Sequence, residues 1–121
     1  MTPRKPRDPE SLLPLKPVES LILMMLAPAE RHGYGIRQDI LDHTEGRVEL
    51  EAGNLYRYMR RLESDELVEP WSRRPTADDD PRRQYYRLTP FGRRVLAAEM
   101  MRMRALVQLA EAHRVIPLRT A

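Results

Sequence analysis

The sequence predicts a mainly α-helical domain that carries one β-hairpin and ends in a long helix, and three observations predict it. Apolar residues recur at helical spacing over most of the chain, two short strand-like runs flank a polar loop between positions 67 and 88, and a Thr-Pro pair then opens a 4-3-4-3 apolar repeat. At 121 residues the chain can bury a single core and is too short for a separate sensing domain.

Residues Met1 to Pro14 interleave Pro3, Pro6, Pro9 and Pro14 with Arg and Lys, which predicts an extended or disordered arm without a helix. Such an arm either adds phosphate contacts or is an inert tail. Pro17 opens the first helix at the position where its missing N–H costs nothing, and Val18, Leu21, Ile22, Leu23, Met24, Met25 and Leu26 make that helix apolar all round. It must be covered on more than one side, and in so short a chain a second subunit is the expected cover. After Pro28 and a turn at His32-Gly33, a second helix over about Tyr34 to Thr44 buries Ile36, Ile40 and Leu41, exposes Arg37, Asp39 and Asp42, and ends at Gly46.

A third helix, about Ala52 to Asp65, aligns Leu55, Met59 and Leu62 on one face. Its opposite face collects Asn54, Arg57, Arg60, Arg61 and Ser64, with Glu63 and Asp65 off to the side. Leu67 to Arg73 and Gln84 to Leu88 then read as strands around a mobile tip, Arg74 to Arg83, which holds Pro75, Asp78, Asp79, Asp80 and Pro81. Thr89-Pro90 starts a last helix over about Phe91 to His113, whose Leu96, Met100, Met103, Val107 and Ala110 form a coiled-coil seam. The expected division is a basic arm at 1–14, a helical domain with its hairpin at 15–90, a dimerisation helix at 91–114 and a flexible tail at 115–121.

Composition narrows the function. The net charge of +3 is a mild bias toward anionic partners, and all basic residues but Lys5 and Lys16 are arginines, which suit phosphate and guanine contacts. Codon usage in a GC-rich genome explains the same bias. The absence of Cys removes disulfides, thiolate zinc sites and thiol catalysis, and fits a reducing, cytoplasmic setting. The longest apolar run, Leu21 to Ala27, falls well short of a membrane span, and Met1 to Lys16 lacks the apolar centre of a signal peptide. His32, His43 and His113 lie on separate elements away from any carboxylate or second His at ligand spacing, and Gly33-Tyr34-Gly35 is a turn into a helix, not a phosphate loop. Neither an enzyme, a metal site nor a cofactor is expected.

Helix, helix, polar-faced helix, hairpin and long helix is the order of a winged helix-turn-helix, whose third helix enters the DNA major groove while the hairpin lies along the backbone. The arginine face of the third helix favours that use. The rival is a winged-helix module that docks on protein, which would present apolar or mixed-charge residues at positions 57, 60, 61 and 64.

The pieces Ile22-Leu23-Met24-Met25-Leu26, His32-Gly33-Tyr34-Gly35-Ile36, Gly53-Asn54-Leu55-Tyr56, Arg61-Leu62-Glu63 and Arg83-Gln84-Tyr85-Tyr86-Arg87-Leu88-Thr89-Pro90-Phe91-Gly92 resemble the PadR-like transcriptional regulators from Leu15 to about Glu99. The resemblance implies a homodimeric repressor on an inverted-repeat operator, a last helix crossing over its partner, and an effector that lowers DNA affinity in several members. The family's Gly-Thr-Leu-Tyr element maps to Gly53, Asn54, Leu55 and Tyr56. Asn54 replaces the usual Thr and can bond adenine or phosphate; Tyr56 either meets a phosphate or packs on the wing. Glu51 stands where the family often has a capping Ser, and Glu66 where it usually has a Gly ending the helix.

The DNA-binding set is therefore Asn54, Tyr56, Arg57, Arg60, Arg61, Ser64 and the wing arginines Arg73, Arg74, Arg82 and Arg83, onto which the acidic tip, Asp78 to Asp80, would push the phosphate contacts. The dimer set is Leu21, Met24, Met25, Leu96, Met100, Met103, Val107 and Ala110. Methionine adapts readily to ligands, so this interface is expected either to take an apolar aromatic effector or simply to fill a core.

Overall fold

The α1 helix, Pro17–Leu26, begins at the predicted proline, and the Glu19 carboxylate accepts from the Lys16 N–H at 3.0 Å to tie down the turn before it. The structure is a computed structural model that describes residues 7–72 and 83–119. After α1 come β1 (Arg31–His32), α2 (Gly33–His43), α3 (Ala52–Ser64), β2 (Val68–Trp71), β3 (Tyr85–Leu88) and α4 (Pro90–Ala112).

Strand β1 was not expected. Two residues carry no alternation, and its existence depends on β3, with Arg31 opposite Tyr86 and His32 opposite Tyr85. The sheet order is β1-β3-β2, antiparallel throughout, with Val68 opposite Leu88 and Trp71 opposite Tyr85. Pro70 is tolerated because β2 is an edge strand. β1 thereby anchors the hairpin to the start of α2. There the His32 Nδ1 accepts from the Gly35 N–H at 2.9 Å and caps the helix.

The core gathers Ile22, Leu23 and Leu26 from α1, Ile36 and Ile40 from α2, Leu55, Met59 and Leu62 from α3, Leu67 and Val68 at the start of the wing, and Val95 and Leu96 from α4. The predicted inner face of α3 is thus fully buried. Thr89 fastens α4: its Oγ1 accepts from the Gly92 N–H at 2.8 Å and donates to the Glu66 carbonyl at 2.6 Å. Gly92 lies so close to β2 that an added Cβ would stand 2.0 Å from the Leu67 carbonyl oxygen.

Four expectations need correction. The arm is not free of helix: Pro9–Leu12 forms a 3-10 turn, because Asp8 accepts from the Glu10 N–H at 2.9 Å and Pro9 is harmless in a first turn. Leu12 and Leu13 pack on the core, and Arg7 donates to the Asp65 carbonyl at 2.9 Å while stacking on Phe91 at 5.1 Å. Second, α2 ends on two left-handed residues and not on Gly46 alone: Glu45 at φ 54° precedes Gly46 at φ 79°, whose N–H donates to the Leu41 carbonyl at 2.8 Å. Third, α1 is mostly covered by its own chain; Leu21 and Met25 are half-buried on the core, and from Val18 to Leu26 only Met24 is left open, at 37%. Fourth, Leu96 is a core residue at 5% exposure and Met100 packs against that core, so the outward seam starts further along α4 than the repeat suggested.

Candidate nucleic-acid interface

Helix α3 owes its position to its buried face, and burying Leu55, Met59 and Leu62 turns the opposite side outward by helical geometry. Arg57, Arg60, Arg61 and Ser64 are exposed, Asn54 is half-buried, and the one acid of the helix, Glu63, is half-buried off that side. The Asn54 Oδ1 accepts from the Arg57 guanidinium, so the two act as one polar unit at the helix start. Tyr56 is 56% exposed, with the Arg60 guanidinium over its ring at 5.6 Å. Glu51, at the N-cap, makes no side-chain cap bond, so the first N–H groups of α3 are left for water or an incoming oxygen. The turn between α2 and α3 is braced by Arg37, whose Nε donates to the Leu50 carbonyl at 2.8 Å.

Among the described residues, two of the depressions beside α3 bear on this surface. One, about 400 Å³, is lined by Lys16, Leu50, Asn54, Arg57, Tyr58 and Arg61. Three cations around one hollow make it a natural seat for a phosphate. Lys16 is absent from the predicted set, and no local signal marks it, because the residue that caps α1 comes to line one hollow with Arg57 and Arg61 of α3 only in the folded chain. The other depression, about 300 Å³, lies between α3, the start of α2 and the root of the wing. It includes His32, Tyr34, Arg37 and Arg83, of which the sequence reading had singled out only Arg83 as a DNA contact. Arg83 stacks over Tyr34 at 5.4 Å and its NH1 is 3.1 Å from His32 Nε2. Tyr86 is held neutral, with its pKa pushed up by burial and by the nearby Glu63 and Tyr56. Arg73, Arg74 and Arg82, with Asp78 to Asp80, lie outside the described residues.

Of the dimer set, Met24, Met103 and Val107 are exposed, Ala110 is half-buried, and Leu21, Met25, Leu96 and Met100 face the chain's own core. Met101, Leu106 and Leu109 are also exposed on α4, at 58%, 58% and 51%, and were not in the predicted seam. A strict 4-3 repeat selects one stripe, whereas the apolar surface left uncovered here is broader. Among the described residues no helix is long and apolar enough to cross a membrane, and no three His, Cys, Asp or Glu side chains group as metal ligands.

Residues 22–98 match the model of the transcriptional regulator PadR-like family. An uncharacterised protein of Lysinibacillus sphaericus is 31% identical over 80 residues, spanning 66% of this chain and 72% of that protein. Among solved structures, a PadR family transcription regulator from Clostridium difficile R20291 is 26% identical with a TM-score of 0.62, over 79% of this chain and 96% of that one. A PadR family regulator from Eggerthella lenta is 27% identical with a TM-score of 0.62, over 84% of this chain and 83% of that one. A transcriptional regulator from Clostridium thermocellum, at 23% identity and a TM-score of 0.65, has the same fold. With the arginine-faced third helix, the hairpin and this match over most of the chain, the protein belongs to the PadR-like family of transcriptional regulators, and is a winged-helix regulator rather than an enzyme.

Proposed function

We propose that this regulator is a cytoplasmic homodimeric repressor that binds an inverted-repeat operator in double-stranded DNA. Residues 15–90 are the DNA-binding unit and 91–114 the dimerisation helix. The observation that carries the reading is the exposed Arg57, Arg60 and Arg61 on α3 beside a cationic hollow that adds Lys16. In this arrangement α3 enters the major groove, Asn54 and Arg57 reach base edges, and Tyr56 with the wing arginines, Arg83 among them, holds phosphates. Two such helices on a two-fold axis read half-sites about 34 Å apart. An effector that binds one dimer geometry in preference to the other would release the operator, and the interface around Met24 and Met103 is a candidate seat for it.

The experiment is to recover bound genomic fragments by sequencing and then to measure anisotropy on operator and random duplexes. Arg57→Ala is expected to lose about 1–3 kcal/mol on the operator and little on random DNA. Arg83→Ala is expected to weaken both alike and to lower the salt slope by about one. Equal losses on both duplexes for Arg57→Ala remove it from base readout, and the absence of any DNA binding would return the fold to the protein-docking reading.

A further inference from the structure

Lys16 reaches the hollow beside α3 from a stretch of chain that is held at both of its backbone donors. It lies with Leu15 between Pro14 and Pro17. Proline has no N–H, so Leu15 and Lys16 supply the backbone donors of this stretch, and both go to carboxylates. The Lys16 N–H donates to Glu19 at 3.0 Å, and the Leu15 N–H donates to Glu99 of α4, 84 residues away in sequence. Both carboxylates are buried. Water would satisfy the same N–H groups on a solvated loop, whereas a buried carboxylate carries a desolvation penalty that only good partners offset. Glu99 has them, since Arg102 donates to its other oxygen. The chain thus keeps a charge in its interior that fixes the backbone next to an exposed lysine.

Electrostatics gives that hold a use. Lys16 shares its hollow with Arg57 and Arg61. Like charges repel, and an ammonium on a flexible four-carbon stem, unless its backbone is fixed, swings away from two guanidinium groups into water. With the backbone anchored, only the stem has to be ordered when a phosphate arrives, which lowers the entropic cost of the contact.

We propose that Glu99 is a positioning residue for DNA binding: through the Leu15 N–H it holds Lys16 at the hollow, where the ammonium joins Arg57 and Arg61 on one DNA phosphate. The proposal rests on the reading of α3 as the DNA-facing helix. It goes beyond that reading because Glu99 is buried on α4 and cannot itself meet DNA. If the sole task of Glu99 were to fasten residues 8–16 to the core, where Leu12, Leu13 and Leu15 pack, its loss would lower stability and leave the number of phosphates engaged unchanged.

Anisotropy on a random duplex across a salt series reads that number. Lys16→Gln is expected to lower the salt slope by about one and the affinity about fivefold at roughly 0.15 M salt. Glu99→Leu should give the same two losses, and adding Lys16→Gln to it should change neither further. Glu99→Gln, whose amide oxygen still accepts from the Leu15 N–H, should restore most of the slope. Val95→Ala, a core truncation one turn earlier on α4, should destabilise the fold yet bind DNA as the unaltered chain does. Should Glu99→Leu not fold, Glu99→Asp, one methylene too short to reach Leu15, is read in the same way. A slope unchanged by Lys16→Gln, additive losses in the double variant, or an equal loss in Val95→Ala would overturn the positioning role. Amide NMR with inorganic pyrophosphate and no DNA separates this proposal from the function it rests on. Pyrophosphate should shift Lys16, Asn54 and Arg57 in the unaltered chain and spare Lys16 in Glu99→Leu. That pattern in a chain that binds no DNA would overturn the proposed function and leave the positioning standing, whereas shifts that miss Lys16 in the unaltered chain would remove the positioning itself.

Discussion

Glu66 sits at φ 62°, where an L side chain is strained, and the hydrogen bonds around it explain why the chain goes there. The Leu67 N–H donates to the Leu62 carbonyl at 2.9 Å and the Glu66 N–H to the Glu63 carbonyl at 2.9 Å, the paired bonds of a Schellman ending, with Leu62 and Leu67 buried together. Its carboxylate is at the negative end of the α3 dipole beside Asp65. Replacing Glu66 by Gly should therefore stabilise by about 1 kcal/mol and raise Tm by about 4 °C in a thermal melt. No rise would mean that contacts of the Glu66 side chain offset the strain. Gly92 is the opposite case. A Cβ there would overlap the Leu67 carbonyl oxygen, which is backbone and cannot rotate away, so Gly92→Ala should lower stability by about 2–3 kcal/mol or more in denaturant unfolding. The need for a left-handed residue at 66 was legible in the sequence from the helix ending there. The crowding at Gly92 was not, because it depends on where β2 runs.

At the scale of elements, legibility followed the range of the interactions. The exposed face of α3 could be read because helical geometry alone sorts thirteen residues into two sides once the apolar ones are known. The wing-root cleft could not, since His32 and Arg83 are 51 residues apart in sequence and meet only through the pairing of β1 with β3. The arm was misread for a related reason. Proline content argues against a long helix, but says nothing about a short turn held by tertiary contacts. The link that holds it has a pH signature. Glu99 is 1% exposed on α4, and its carboxylate accepts from the Leu15 N–H and from Arg102. Burial pushes its pKa up, but the hydrogen bonds from Arg102 and Leu15 and the Arg102 charge outweigh burial, leaving it below the ordinary 4.5. A carboxyl depressed on folding contributes its full stabilisation above the unfolded value, and loses it as the pH falls through the folded one. Glu99→Gln should accordingly cost about 1–3 kcal/mol at pH 7, a difference that narrows as the pH falls below the unfolded value and through the lower folded one in a pH series of urea unfolding. A gap that stays constant with pH would assign the loss to packing rather than to charge.

The molecule as a whole leaves an account open on its outer side: Met101, Met103, Leu106, Val107 and Leu109 expose 44–58% of their surface along the second half of α4, with Met24 open on α1. Apolar side chains concentrated on one helix are covered in most soluble assemblies, and a second copy related by a two-fold axis is the cover that also aligns two recognition helices. The prediction is that Met103→Glu with Val107→Glu yields a folded monomer. Neither residue belongs to the core, so far-UV circular dichroism should be preserved while sedimentation gives half the mass. The melting temperature, which should rise with protein concentration for the unaltered chain, should no longer do so. DNA binding then separates the two roles of the dimer. Affinity for a single half-site should be unchanged, because α3 and the wing are intact, whereas affinity for the full operator should fall by about 10²–10⁴, the advantage lost when a second site is no longer held at high effective concentration. If the variant still sediments as a dimer, the interface lies elsewhere, and the exposed Val115, Ile116 and Leu118 beyond the end of α4 become the surface to mutate next. If it is monomeric yet binds the full operator as tightly as before, one chain suffices for recognition and the inverted-repeat reading falls.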